Sequence, residues 1–161
     1  MAIKDIHIPI QVFNTIDELL TADAALLTNA RMVTAAAYAP YSNFLVGAAA
    51  MLVNGQVLTG TNQENASYPV GICAERVLLG NAATNFPNVA INTMAISYHN
   101  LSGESTRPIS PCGMCRQVLA EYEVRVKQPI RLILSGQTGQ IFIIEKAAQL
   151  LPLTFTPDDL K

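Results

Sequence analysis

The apolar positions of this chain fall into three patterns: loose alternation, helical spacing and continuous runs. Along residues 1–14, Ile3, Ile6, Ile8, Ile10 and Val12 alternate loosely with polar neighbours, and Pro9 excludes a helix interior. This segment reads as an arm that lies across the body or serves as an edge strand. Thr15 and Glu18 have capping-box spacing and predict a short helical turn. Thr21 predicts a second N-cap, with Asp23 at the positive end of a helix over 22–37. Leu26, Ala30, Val33 and Ala37 recur at three and four residues and should face the core. Pro40 ends that helix. Residues 44–53 form an apolar run, Asn54-Gly55 predicts a two-residue type I′ turn, and 56–61 return as the second strand of a hairpin. Gly47, Ala48, Ala49 and Ala50 are small enough to let a helix approach that first strand closely. Beyond a polar loop at 62–70, residues 71–83 read as helical, 89–98 as a strand and 100–108 as an exposed loop. Another helix opens at 110 and ends near Tyr122. Strands over 130–134 and 140–144 flank a turn at Thr138-Gly139, and a short helix at 145–150 precedes a proline-bearing tail. The order predicts one layered α/β domain over residues 1–161, built on a mixed five-stranded sheet.

Composition narrows the classes. Half the residues are hydrophobic and 14% are charged, which argues against disorder and hints at apolar surface buried between subunits. Ten basic and twelve acidic side chains leave a net charge of −2, so nothing marks a nucleic-acid backbone as partner. No apolar run approaches the roughly 20 residues that span a bilayer. The first residues, Met1-Ala2-Ile3-Lys4-Asp5, lack the apolar segment of a signal peptide. Cytoplasmic residence is the expectation. In a reducing compartment, the three cysteines stay thiols or become metal ligands.

Cys112 and Cys115 are three apart with Pro111 before the first, a spacing that lets two thiolates at a loop-to-helix junction converge on one ion. Alone, such a pair is also compatible with redox chemistry or with packing as small apolar side chains. Cys73 lies 39 residues earlier, at the start of another helical stretch, so two facing helix N-termini would gather all three sulfurs. A structural zinc needs four protein ligands, and there is no fourth cysteine. His7 belongs to the arm, and His99 near a strand end reads as a surface histidine. Three ligands leave an open position for water, as in catalytic zinc sites. Glu75, two residues after Cys73, reads either as a favourable acid near a helix start or as a proton shuttle beside that water. Three thiolates carry excess negative charge, so Arg76 and Arg116, which follow the two ligand segments, are expected to offset it. One of them, Arg76 foremost, should hydrogen-bond to a ligand sulfur.

Cys73-Ala74-Glu75 followed by Pro111-Cys112-x-x-Cys115 resembles the zinc nucleoside and nucleotide deaminase signature. Cysteine in the first ligand position is similar to the small homotetrameric cytidine deaminases. The likeness extends over residues 15–160. It includes Tyr38-Ala39-Pro40-Tyr41-Ser42-Asn43-Phe44-x-Val46-Gly47-Ala48-Ala49, Gly60-x-Asn62-x-Glu64-Asn65-Ala66-x-Tyr68-Pro69 and Leu150-Leu151-Pro152-x-x-Phe155. The arm, the 100–108 loop and the 122–129 stretch depart from the compact pattern without touching a motif residue.

The resemblance implies a three-layer α/β/α fold of the cytidine-deaminase type, with one zinc per subunit on Cys73, Cys112 and Cys115. It implies conversion of cytidine and 2′-deoxycytidine to uridine and 2′-deoxyuridine plus ammonia, a step of pyrimidine salvage. Hydroxide generated at zinc would attack C4, with Glu75 moving the protons. Phe44 would pack on the pyrimidine, and Asn62 and Glu64 would hold the ribose in a loop that includes Ala66. Backbone groups near Ala74 and Ser110 would read the base edges. Tyr68 and Phe155 resemble residues that a neighbouring subunit contributes near the nucleoside of a homotetramer. The expected partner is a pyrimidine nucleoside, with no nucleic acid and no membrane. The alternatives are a zinc deaminase of another base, nucleotide or nucleoside analogue, and a non-catalytic zinc-binding protein with this fold.

Overall fold

In the computed structural model, which describes residues 1–161, the chain forms three helices and six strands. They are β1 (Gln11–Phe13), α1 (Thr21–Val33), β2 (Phe44–Leu52), β3 (Val57–Thr61), α2 (Ala74–Asn85), β4 (Ile91–Asn100), α3 (Gly113–Val126), β5 (Arg131–Ser135) and β6 (Ile141–Ile144). One mixed sheet holds every strand in the order β1-β6-β5-β4-β2-β3. Only β4 and β5 pair in parallel, and α3 supplies the long crossover that parallel pairing requires. The expected five-stranded sheet has six strands, because the end of the arm pairs antiparallel with β6 at the sheet edge.

The two faces of the sheet are covered separately. Alternation along β2 sends Ala49 to one face and Ala48 and Ala50 to the other. Leu26, Leu27 and Ala30 of α1 pack with Ala49, Ala95 and Ile133. Leu78 and Ala82 of α2 and Leu119 of α3 pack with Ala48, Ala50, Met94 and Leu132. The result is the expected α/β/α layering. Two glycines permit the close approach of the layers. A Cβ at Gly47 would stand 2.3 Å from the Ala30 carbonyl oxygen, and one at Gly60 would stand 2.5 Å from that of Ala74. Only a hydrogen-sized side chain fits between backbones at this spacing. Gly60 therefore seats the first turn of α2 on β3.

Polar ties fix the layers. Arg131 on β5 makes a two-pronged bond to Asp23 of α1, with distances of 2.7 and 2.9 Å. Glu123 on α3 is buried, and its Oε1 accepts from the backbone N–H of Ile130 and of Ala147.

Several local boundaries differ from the sequence reading, among them the four that follow and the short helix read at 145–150, which is a 3-10 turn over Ala147–Leu150. Leu20 takes the N-cap position and Thr21 starts α1 without a side-chain cap. The α-helix ends at Val33 and continues as a 3-10 turn over Thr34–Ala36, where the Thr34 hydroxyl donates back to Arg31 O. At the hairpin, only Gly55 has positive φ (85°), so the connection is a turn closed by a left-handed glycine and not a type I′ turn. Helix α3 runs a further turn past Tyr122, to Val126, and Lys127 ends it in the left-handed conformation two residues before Pro129. No helix is long and apolar enough to cross a membrane.

Candidate active site

Strand pairing decides where the helices begin. Strands β3 and β4 flank β2 and both run antiparallel to it, so both finish at the end of the sheet where β2 starts. The chain then leaves β3 towards α2 and β4 towards α3, which places both helix N-termini beside Phe44. Cys73 is the N-cap of α2 and Cys112 the N-cap of α3, both with extended backbone; Cys115 lies in the first turn of α3. The partial positive charge of two helix starts thus faces the sulfurs.

The Cys73 and Cys112 sulfurs are 3.7 Å apart, those of Cys112 and Cys115 3.4 Å, and all three lie within 4.8 Å of one another. Tetrahedral zinc with bonds of about 2.3 Å separates its sulfurs by about 3.8 Å. Soft donors at this spacing fit zinc, and the three thiols form a zinc-binding cluster. Neither His7 nor His99 belongs to it. Hydrogen bonding with Cys115, helped by Cys112 and Arg76, holds the Cys73 thiol down to about 5, although burial opposes this. The same shared bond and burial push the Cys115 thiol up.

Glu75 lies in the first turn of α2 and is only 5% exposed. Burial raises its carboxyl above the ordinary range, and its own backbone amide partly offsets the effect. Arg76 contributes charge towards Cys73, but its Nη2 donates to Gly71 O at 3.1 Å. Its Nε is buried without a partner, while the guanidinium stands close enough to Cys73 and Cys115 to favour the thiolate at Cys73. Arg116 departs from expectation. Its Nε donates to Pro111 O at 2.8 Å and its Nη1 to Leu150 O at 3.0 Å. It ties the ligand loop to the C-terminal segment and does not touch sulfur.

A cleft of about 350 Å³ brings together Phe44, Asn62, Glu64, Tyr68, Ala74 and Ser110 with Cys73, Cys112 and Glu75. The Phe44 ring stacks on Tyr98, with centroids 4.7 Å apart. Asn62 clasps the backbone of β2: its Nδ2 donates to Phe44 O at 2.9 Å and its Oδ1 accepts from Val46 N at 2.7 Å. Glu64 accepts from Tyr41 N at 2.9 Å, from Ser42 N at 3.3 Å and from the Ser42 hydroxyl. The hydroxyl above all, then the backbone donors, hold its carboxyl below the usual range against slight desolvation. Ala66 and Phe155 are exposed and do not line this cleft. Phe155 borders a separate cavity of about 460 Å³ between α3 and the tail, where its carbonyl accepts from Gln117. Ile109 and Met114 also line the cleft, and Tyr41 and Ser42 hold Glu64; the sequence reading gave none of these four a role. Tyr41 and Ser42 did stand within a motif, but only the folded loop reveals what they touch.

Residues 20–128 match the family profile of the cytidine and deoxycytidylate deaminase zinc-binding region. The cytidine deaminase of Halalkalibacterium halodurans is 36% identical over 135 residues, covering 84% of this chain and 95% of its own. That of Mycobacterium tuberculosis is 34% identical over 135 residues, covering 82% and 88%. The crystal structure of cytidine deaminase from Burkholderia pseudomallei superposes with a TM-score of 0.72 at 37% identity, covering 85% of this chain and all of that one. With its three-thiol cluster and buried carboxyl, the chain belongs to the cytidine and deoxycytidylate deaminase family and is a zinc-dependent hydrolytic deaminase.

Proposed function

We propose that the protein hydrolyses cytidine and 2′-deoxycytidine to uridine and 2′-deoxyuridine, releasing ammonia. The observation that carries this reading is the buried Glu75 carboxyl, which shares one cleft with the thiol cluster and with Phe44, Asn62 and Glu64. Zinc on Cys73, Cys112 and Cys115 supplies Lewis-acid activation of water at neutral pH.

The chain's own residues do the rest. Glu75 takes a proton from water and delivers it to N3 of the pyrimidine. The protonated ring can then accept an electron pair as oxygen adds at C4. Glu75 next takes the proton of the new C4 hydroxyl and passes it to the exocyclic nitrogen; the C4–N bond breaks as the C4 carbonyl forms, and ammonia departs. A carboxyl raised by burial is suited to both halves of this exchange. Phe44 packs on the ring, backbone groups at Ala74 and Ser110 read the 2-oxo and 4-amino edges, and Glu64 accepts from the sugar 3′-hydroxyl beside Asn62. Arg76 is the only cation lining the cleft, and one of its donors is already used by Gly71 O. That leaves no cradle for a 5′-phosphate and favours nucleoside over nucleotide.

We also propose that the chain assembles as a homotetramer, each subunit holding one zinc. Phe155, 59% exposed and outside its own chain's cleft, is open to completing a neighbouring subunit's site, whereas Tyr68, 76% exposed, lines the cleft of its own chain. Ammonia release from cytidine, 2′-deoxycytidine, cytosine, cytidine 5′-monophosphate and adenosine tests the substrate. The two pyrimidine nucleosides should be turned over well and the others poorly. A preference for the nucleotide or for another base would overturn the assignment.

A further inference from the structure

Four hydrogen-bonded groups at the start of β2 link the two sides of the proposed ligand site. The Ser42 hydroxyl donates to Glu64 and accepts from Phe44 N at 3.1 Å. On its other side, Phe44 O accepts from the Asn62 amide at 2.9 Å. Asn62 and Glu64 leave β3 two residues apart, and backbone bonds hold them to the preceding loop: Tyr38 N donates to Asn62 O at 3.0 Å and Glu64 N to Tyr38 O at 2.8 Å. Asn43, between Ser42 and Phe44, has a left-handed backbone with φ of 56°. That bend lets one serine hydroxyl reach the backbone two residues on and a carboxylate from another loop. A hydroxyl has one proton to donate and two lone pairs to accept with, so both bonds form at once.

We propose that Ser42 is a positioning residue for substrate recognition, its hydroxyl setting the Glu64 carboxylate to meet the sugar 3′-hydroxyl and holding it in register with the Phe44 ring. This rests on the reading of Glu64 given above. Oε1 of Glu64 bonds only to Ser42, while Oε2 takes the two backbone donors. Removing the hydroxyl frees one oxygen to turn, while Phe44 stays held by the Asn62 amide, by its pairing with Asn100 and by its stack on Tyr98. The backbone donors remain, so the carboxylate keeps its charge but not its aim. Ser42 does not line the cleft that holds the thiols and Glu75, so the loss of its hydroxyl should be felt in binding and not in the chemical step.

Steady-state kinetics of the zinc-loaded full chain with cytidine and with 3′-deoxycytidine provide the test. Ser42→Ala should raise KM for cytidine about tenfold, the worth of one charge-assisted hydrogen bond, while kcat stays within about twofold. On 3′-deoxycytidine, which has no hydroxyl for Glu64 to meet, variant and wild type should have nearly the same KM. Ser42→Thr, which retains the hydroxyl, should restore KM for cytidine, and zinc content checks that each variant is folded. Equal losses on both substrates, or no loss on either, would overturn the role of Ser42 while wild-type discrimination between them keeps that of Glu64. Should wild type handle the two substrates alike, the sugar-reading role of Glu64 fails and this inference fails with it.

Discussion

In the proposed mechanism Glu75 has to bind a proton and then release it, and its surroundings suit both. Burial favours the neutral acid, while its place in the first turn of α2 lets backbone amides and the helix dipole favour the anion. Glu75→Gln keeps the size and burial of the side chain and removes only the proton exchange. Zinc content and nucleoside binding should persist, while turnover of cytidine falls by about 10⁴-fold, the upper end for a general acid–base group. Metal analysis, equilibrium binding and steady-state assay on the same preparation check this, and turnover near wild type would remove Glu75 from the proposed mechanism. At this scale the sequence was most informative. Cys112 and Cys115 could be paired from their spacing, and Cys73 joined them because each thiol opens a helix. The arginines could not be assigned this way. Proximity in sequence placed Arg116 next to a ligand, but its side chain spans from Pro111 to Leu150, a contact that depends on where the tail packs.

Helix α3 carries two ligands at its first turn and is fixed near its last by Glu123. One carboxylate oxygen there takes the N–H of Ile130, just before β5, and that of Ala147, which opens the 3-10 turn Ala147–Leu150 after β6, while the other is buried without a partner. Glu123→Ala would leave two buried N–H groups unpaired and should destabilise the fold by about 3 kcal/mol, measured by urea unfolding. Burial raises the folded-state pKa of Glu123. The native protein then binds the proton more tightly than the unfolded chain, so this group's contribution weakens as pH rises from the unfolded value through the folded one. Relative to Glu123→Gln, wild type should lose stability as pH rises above the unfolded glutamate value of about 4.3. A constant difference would contradict that sign. Nothing in the local pattern at 120–126 announces a carboxylate that caps a distant strand. For the same reason the 3.6-residue spacing gave α1 its core face, Leu26 and Ala30, but not the pairing of Asp23 with Arg131. Asp23 was legible as a dipole partner, and 108 residues separate it from the guanidinium that holds it.

Hydrophobic runs and turn residues identified five of the strands, and their order with the helices implied the layers. The sixth, Gln11–Phe13, was legible in the loose alternation of the arm only as one of two readings, an edge strand; its partner β6 lies more than 120 residues away, and no local signal names it. The active site is a property of this whole arrangement. The antiparallel placement of β3 and β4 on either side of β2 starts two helices at one end of the sheet, and Gly60 lets the first of them sit close enough to bring Cys73 and Glu75 against the ligands of the second. Everything proposed about catalysis depends on that junction holding zinc with sulfur on three sides and a position left for water. X-ray absorption at the zinc edge of the loaded protein measures this directly. The account predicts three sulfur neighbours at about 2.3 Å and one oxygen neighbour at about 2.0 Å. A fourth ligand from a protein side chain, or fewer than three sulfurs, would contradict it.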